Sequence, residues 1–454
     1  MLGLIIAIVV TIIVAKMVLS KQKAQTVLFV GGFVLLACAI FMGKPILDAK
    51  KTTGFAWFDI FKFVENTFSS RAAGIGLLIM SVGGFAKYMD HIGASRVLVN
   101  LTAKPLQIVR SPYLLLAVSY VIGQLLNIVI PSAAGLCVLL MATMYPVLTS
   151  LGVSRLSSAA VIATAPCLDL GPASGTAVFA AKTAGLEVTD YFVSQQIPIA
   201  VITIVAIAAT HFFVQRYFDR KEGHKNERNI SANESLDKDA YVPPVIYAIL
   251  PIVPIGLVLV FSKLCIPYIK MPVVTAMIIS VTLAMLFELI RTKDIKKVFS
   301  SIQVFFDGMG KIFATVITLI VAGETFAYGL VKIGAIDMVI KGAESTGFGA
   351  VGIMIIMTLV VAAAAVVMGS GNAPFYSFGA LVPDITAQMG ISSVAMITSM
   401  QLASSIARSA SPITAAVVAV AGIANVSPVD LVKRTAIPMA VALVVSVVVN
   451  LAFS

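Results

Sequence analysis

Long apolar runs separated by short polar stretches make up most of the chain. The runs are continuous rather than alternating, and many reach the roughly 20 residues that a helix needs to cross a bilayer. Because no backbone group can stay unsatisfied in lipid, continuous runs predict membrane-spanning helices rather than barrel strands. An amphipathic piece at 57–68 predicts a helix lying at the membrane interface. The predicted spans and hairpin arms are 1–19, 25–42, 72–89, 111–130, 136–150, 196–214, 245–261, 273–290, 313–328, 347–368, 375–388 and 432–453.

Four breaks made of small residues and proline interrupt these runs. Two of them, 131–135 and 369–374, join paired apolar arms and predict the tips of hairpins. The other two, 166–176 and 404–414, divide the helices predicted over 154–181 and 392–424. A single break of this kind is often only a kink or a close helix contact. Four breaks in matching positions favour a binding site instead.

The two halves of the sequence match at a nearly constant offset. The segment 85–94 corresponds to 326–335, which lies 241 positions later, and Pro198 corresponds to Pro438, 240 positions later. Gly152 corresponds to Gly390 at an offset of 238. Ordered matches with so little drift predict a duplication. We therefore divide the chain into a first repeat at 1–215, a cytoplasmic hydrophilic linker at 216–241 and a second repeat at 242–454.

Charge and composition indicate that the chain lies in a membrane and which side each loop faces. The chain is 59% hydrophobic and 12% charged, whereas a soluble domain carries about 25% charged residues, so it is an all-α polytopic membrane protein. If each half crosses five times and adds a re-entrant hairpin and a broken helix, the second repeat is inverted. With both termini periplasmic, 21 Lys and Arg fall on the cytoplasmic side and 10 on the other, as the positive-inside rule expects. The net charge of +11 then needs no nucleic acid as a partner.

The breaks carry the candidate chemistry. Arg408 is the only charge between Asp384 and Asp430, and a charge inside such a chain is a functional hypothesis by default. Helix starts after each break would present N–H groups to an anion, and we predict Asn372 and Ser411 as N-caps. The hydroxyls of Ser404 and Ser409 add further donors. The predicted substrate-binding residues are Ser132, Ala133, Gly135, Ser174, Gly175, Thr176, Ser370, Gly371, Asn372, Ser405, Arg408, Ser411 and Thr414.

Three acidic residues leave alternatives open. Arg408 would bind an anionic substrate, or it would pair structurally with Asp169, Asp384 or Glu324. Asp169 has no matching carboxylate in the second repeat, so it is either a proton or cation site or the partner of Arg408. Glu324 lies in a predicted span and is a second candidate for coupling.

Other functional classes lack their sequence motifs. The chain has no GxxxxGK[ST] for ATP and no HExxH or GxSxG, so no catalytic residue is assigned and a membrane enzyme is a remote alternative. The cysteines show no CxxC spacing, and no metal site is predicted. A secondary transporter without cofactors, driven by H⁺, Na⁺ or a substrate gradient, is the remaining prediction. Its substrate is a small dicarboxylate or, alternatively, another small organic anion or an amino acid.

Several segments carry a family resemblance: 85–94, 110–113, 135–146, 211–216, 369–375 and 432–435. Together they resemble the DcuC-type anaerobic C4-dicarboxylate carriers, and 152–158 and 305–310 are similar to the DcuD-like branch. The resemblance implies a transporter of succinate, fumarate or malate in the bacterial inner membrane, working in succinate efflux or exchange during anaerobic metabolism. It also implies alternating access in a homodimeric, elevator-type carrier of the ion transporter superfamily.

Overall fold

A computed structural model describes residues 2–20, 22–103, 105–106, 109, 111–224, 243–262, 265–266, 268–336, 338 and 349–453. The regular elements of this part of the chain are helices, and a 3₁₀ segment, Val245–Ile252, leads into α10. The helices are α1 Leu2–Leu19, α2 Ala24–Phe41, α3 Ala56–His91, α4 Ala94–Ala103, α5 Pro112–Val129, α6 Ala133–Ser150, α7 Arg155–Thr164, α8 Gly175–Thr183, α9 Val188–Lys221, α10 Val253–Val260, α11 Val273–Thr292, α12 Ile295–Lys332, α13 Ala350–Met368, α14 Asn372–Gly379, α15 Val382–Met389, α16 Ser393–Arg408, α17 Ala415–Ala424 and α18 Pro428–Phe453.

Nine helices within the described ranges are long and apolar enough to cross a membrane. They are α2, α3, α5, α6, α9, α11, α12, α13 and α18. Their main chains satisfy their own hydrogen bonds, which is the condition that lipid imposes on any spanning segment. The prediction of an all-helical polytopic membrane protein is confirmed.

Two long helices replace elements that the sequence pattern separated. The amphipathic piece at 57–68 is not a separate helix, because it continues through a π-helical turn at Ala72–Gly76 into the predicted third span. Helix α12 has the same construction, with a π-helical turn at Phe313–Ile317. The two turns lie 241 positions apart, which is the offset found in the sequence. π-Helical turns of this kind keep a helix continuous and are frequent at functional sites.

Helices α3 and α12 pack against each other along most of their length. Gly84 contacts the backbone of Phe305, and its neighbour Gly83 contacts Ile312. Farther back along α3, Arg71 forms an ion pair with Glu324 on α12. As the residue number falls on one helix it rises on the other, so the two helices run antiparallel.

Helices of each half of the chain pack against helices of the other half. Helix α2 of the first half packs on the end of α12, whereas α11 of the second half packs on the end of α3. In the same way, α8 lies against α14 and α16, and α17 lies against α6 and α7. Each short helix that follows a break is therefore buried against the other half of the chain.

The breaks lie close to their predicted places, with one correction. The chain is non-helical between α7 and α8, as expected for 166–176, and between α5 and α6. In the second half, α16 continues to Arg408, so Ser404 and Ser405 lie inside a helix and not in the break. Helix α9 runs into the predicted linker as far as Lys221, and residues 225–241 of that linker lie outside the described residues.

Candidate functional site

Amide side chains hold the non-helical segment between α7 and α8. The amide of Gln124 donates to the carbonyl of Leu168 at 2.9 Å and accepts from its N–H at 3.0 Å. Gln401 donates to the carbonyl of Asp169 at 2.7 Å, and Gln196 accepts from the N–H of Gly171 at 2.9 Å. Because all three glutamines are fully buried, these bonds stabilise backbone groups that no helix satisfies.

Arg408 forms an ion pair with Asp169 at the end of this segment. Its Nη2 lies 2.8 Å from Oδ1 of Asp169 and 3.1 Å from the carbonyl oxygen of Pro166. The two side chains are 12% and 11% exposed, so the pair is largely desolvated but still borders open space. Of the alternative partners considered for Arg408, the structure selects Asp169.

The guanidinium group keeps unused hydrogen-bonding capacity. Among the described residues, Nη2 is the nitrogen with hydrogen-bond acceptors, and neither Nε nor Nη1 has one. A guanidinium can grip a carboxylate with two parallel N–H bonds. Nε and Nη1 therefore each remain available for one hydrogen bond to a second carboxylate while Nη2 stays on Asp169. A two-point grip would pair Nη2 with one of them and would replace an existing Nη2 bond.

A cavity of about 380 Å³ borders this ion pair, and we call it the substrate cavity. Its volume lies within the range of about 300–1,000 Å³ that is usual for small-molecule sites. Of the residues predicted from sequence, it brings together Ser132, Asp169, Ser174, Gly175, Thr176, Asn372 and Arg408. It also includes Lys87, Asp90, Lys311 and Tyr376. The cavity thus collects side chains from the two hairpin tips and the two broken helices.

Two serines cap helices at this cavity. The Ser132 hydroxyl accepts the N–H of Gly135 at the start of α6, and the Ser174 hydroxyl accepts the N–H of Ala177 at the start of α8. The predicted caps of the second half are wrong. Asn372 is the first residue of α14, which has Gly371 at its N-cap, and α17 begins after Thr414 rather than after Ser411. Helix α14 thus begins one residue earlier than predicted, whereas a turn at 412–413 delays the start of α17.

The other predicted site residues support the cavity or lie away from it. The Thr414 hydroxyl donates to the carbonyl of Arg408 at 2.6 Å, and Gly371 leaves room for the Arg408 side chain and the backbone of Ser404. The Ser405 hydroxyl turns to carbonyls of its own helix, and the buried Ser411 hydroxyl has no partner among the described residues. Ala133, Gly135 and Ser370 are half-buried beside the hairpin tips and do not line the cavity.

Glu324 lies in a different place. It forms an ion pair with Arg71, with 2.7 Å between Oε1 and Nε, and it borders a second cavity together with Asp384. Neither carboxylate reaches Arg408. The two candidates for coupling, Asp169 and Glu324, therefore belong to separate cavities.

Sequence reasoning missed the lysines and amides of the site. Lys87 and Lys311 are not among the predicted site residues, although both line the substrate cavity. The signal for the buried amides was present, since Gln124, Gln196 and Gln401 are polar residues within or next to apolar runs. Polar side chains in such positions are rare and usually functional.

A largely buried ion pair at a polar cavity inside an all-helical membrane protein is typical of a membrane transporter. The chain belongs to the DcuC family of C4-dicarboxylate anaerobic carriers, whose sequence model matches residues 2–453. It is 39% identical over 446 residues to the anaerobic C4-dicarboxylate transporter DcuC of Escherichia coli K12, covering 98% of this chain and 95% of that protein. A probable DcuC transporter of Vibrio cholerae is 36% identical over 450 residues, covering 99% and 97%. The predicted family is confirmed, and the relatives are transporters rather than enzymes.

Solved structures support the fold. The YdaH transporter of Alcanivorax borkumensis aligns with a TM-score of 0.61 at 16% identity, covering 94% of this chain and 97% of that one. MtrF of Neisseria gonorrhoeae, described as one of a class of antimetabolite efflux pumps, aligns at 0.58 and 12% identity, covering 94% of each chain. At these low sequence identities the comparisons support the fold alone.

Proposed function

We propose that the protein is a secondary carrier that exchanges C4-dicarboxylates such as succinate, fumarate and malate across the bacterial inner membrane. The observation that carries the proposal is Arg408, which lines the substrate cavity and whose Nε and Nη1 have no acceptor among the described residues. Leaving a desolvated guanidinium partly unpaired is unfavourable. A carboxylate of the substrate would remove that cost whenever it binds.

The second carboxylate would lie at the helix starts opposite. Helix α8 begins at Gly175, and its first N–H groups carry a partial positive charge that favours anions. Ser132, Thr176 and Asn372 add neutral donors around the same cavity. A four-carbon dicarboxylate would thus be held by the arginine at one end and by helix termini and hydroxyls at the other.

The mechanism we propose is alternating access by an elevator movement. The π-helical turns at matching positions, the antiparallel α3 and α12 and the exchanged packing of the two halves support a pair of inverted repeats. The hairpins and broken helices would move against a scaffold built from the first spans of each repeat. The distribution of Lys and Arg supports periplasmic termini, and we propose a homodimer as the working assembly.

Coupling would act at Asp169. The cavity contains Lys87, Lys311 and Arg408 against Asp90 and Asp169, so a bound dianion leaves one excess negative charge. A proton or Na⁺ at Asp169 would balance it and would release Arg408 for the substrate. Exchange of one dicarboxylate for another needs no such ion. We propose that succinate leaves the cell either by ion-coupled transport or by this exchange.

Counterflow in proteoliposomes tests the proposed function. Vesicles loaded with unlabelled succinate are expected to accumulate external radiolabelled succinate transiently, and external fumarate or malate is expected to compete. Glutamate and glycine serve as comparison solutes of a different class. Accumulation that only an amino acid or a monocarboxylate can drive would contradict the proposal and would favour a carrier for another small solute.

A further inference from the structure

A second cavity lies at the other end of α3 and α12, and we call it the outer cavity. Its volume is about 570 Å³. Residues of α3, α8, α12 and α15 line it, among them Ser70, Arg71, Lys182, Glu324 and Asp384. Arg71 and Lys87 are 16 residues apart on α3, about 24 Å along the helix, whereas the nearest α3 residues that line the two cavities, Ile75 and Ile79, are four residues and about 6 Å apart.

The outer cavity is the counterpart of the substrate cavity under the sequence repeat. A shift of 241 positions takes Ser70, Arg71 and Ile75 of the outer cavity to Lys311, Ile312 and Val316, and all three line the substrate cavity. The reverse shift takes Glu324, Ala327 and Tyr328 to Gly83, Ala86 and Lys87, which line it as well. Corresponding stretches of α3 and α12 therefore form one wall of each cavity.

Aromatic rings separate the two cavities. Phe179 lines the outer cavity and Tyr376 lines the substrate cavity, and their ring centroids are 5.1 Å apart. Phe375 packs against both rings, and the three side chains are at most 2% exposed. In this conformation a solute in the outer cavity does not reach Asp169 and Arg408.

The outer cavity differs from the substrate cavity in having the Arg71–Glu324 ion pair. Its counterparts at the other end are Ile312 and Gly83, which make an apolar contact. Arg71 is 40% exposed and uses Nε for Glu324, and among the described residues its Nη1 and Nη2 have no acceptor. The guanidinium can therefore take up a carboxylate without giving up Glu324.

We propose that the outer cavity is the periplasmic passage for the dicarboxylate, and that Arg71 binds a carboxylate of the substrate there while Glu324 holds the guanidinium in place. The inference rests on the proposed function and adds a second substrate site to it. The acidic and basic side chains that line the cavity balance, with Lys51, Arg71 and Lys182 against Asp48, Glu324 and Asp384. Binding there is local to Arg71 and weak enough for the solute to leave, as a passage requires.

Transport kinetics from the two sides test the role of Arg71. We expect Arg71→Gln to raise the KM for external succinate about tenfold, the effect of losing one charge-assisted hydrogen bond, and to leave the KM measured from the cytoplasmic side unchanged. The KM of Arg71→Lys for external succinate is expected to lie between those of the wild type and Arg71→Gln. Lys62→Gln on the same helix, which breaks an exposed ion pair with Glu65, is the matched control and should behave as the wild type.

Thiol labelling tests the passage without altering Arg71. In a chain whose Cys38 and Cys265 are replaced by serine, Ser70→Cys is expected to react with a membrane-impermeant maleimide from the periplasmic side, and succinate should slow the reaction. Lys311→Cys, at the corresponding position, should react only in inside-out vesicles. Glu187→Cys, whose parent side chain is 80% exposed outside the cavity, should react without protection.

The outcomes separate the inference from the proposed function. If the wild type exchanges succinate but Arg71→Gln keeps its external KM, or if Ser70→Cys reacts only from the cytoplasmic side, the outer passage is wrong and the carrier stands. If the wild type shows no dicarboxylate exchange at all, the proposed function fails and the outer passage fails with it.

Discussion

Arg408→Ala is expected to weaken succinate counterflow severely. Loss of the guanidinium removes at least one charge-assisted hydrogen bond to a substrate carboxylate, of about 1.5–3 kcal/mol, which corresponds to roughly 10- to 150-fold in apparent affinity. Arg408→Lys should also be severely impaired, because a lysine is a point charge without the planar fork. The measurement is the concentration dependence of labelled succinate entry into proteoliposomes at equal protein content.

A double substitution separates substrate binding from structural pairing. Alanine alone at 408 leaves Asp169 desolvated and unpaired, which by itself disfavours an anion in the cavity. Arg408→Gln combined with Asp169→Asn removes both charges at similar volume, so the structural cost should largely disappear. We expect this variant to remain folded and still to fail in transport. Wild-type affinity in the double variant would mean that Arg408 serves only to neutralise Asp169.

Arg434→Met is expected to cause the largest loss of stability. Arg434 is 1% exposed, and its guanidinium lies 2.6 Å from Asp219 and 2.6 Å from Glu222, joining the start of α18 to the end of α9. Ser154 and Ser157 also donate to Asp219. Removal of the arginine leaves a fully buried carboxylate unpaired, which costs about 3–5 kcal/mol of unfolding free energy. Reversible unfolding in mixed micelles measures the loss.

A compensating substitution and a neighbouring ion pair serve as controls. Asp219→Leu added to Arg434→Met should recover most of the lost stability, because replacing a whole buried pair by apolar residues is often neutral. Lys433, the residue before Arg434, forms an exposed ion pair with Asp430. Lys433→Met breaks this pair and should change the unfolding free energy by less than about 1 kcal/mol. If Arg434→Met and Lys433→Met had equal effects, burial of the Arg434 pair would not matter for stability.

The fold was largely predictable because membrane helices leave a strong sequence signal. Continuous apolar runs gave the spans, and the offset between 85–94 and 326–335 reappears as the 241-residue spacing of the π-helical turns. Hydropathy could not show that 57–68 and 72–89 form one helix, because the polar residues 69–71 between them are helical and a π turn at Ala72–Gly76 continues the helix. The end of α16 was missed for a similar reason. Ser404 and Ser405 resemble a break, but their hydroxyls bond to carbonyls of the same helix.

The site was predictable only as far as backbone breaks and isolated charges reveal it. Arg408 and Asp169 stand out as charges among apolar residues, and the structure brings them together. The sequence alone could not show that Lys87 and Lys311 face the same cavity, because both sit near span ends, where lysines usually mark topology. Arg434 was counted for topology in the same way, although its side chain is almost fully buried.

The most direct test of a dicarboxylate site at Arg408 is an experimental map of the protein with bound succinate. We expect density for the ligand inside the substrate cavity, with one carboxylate hydrogen-bonded to the guanidinium group of Arg408 and the other near Ser132, Ser174 and Asn372. Succinate bound elsewhere, with the guanidinium edge of Arg408 turned away from the ligand or toward lipid, would contradict the account.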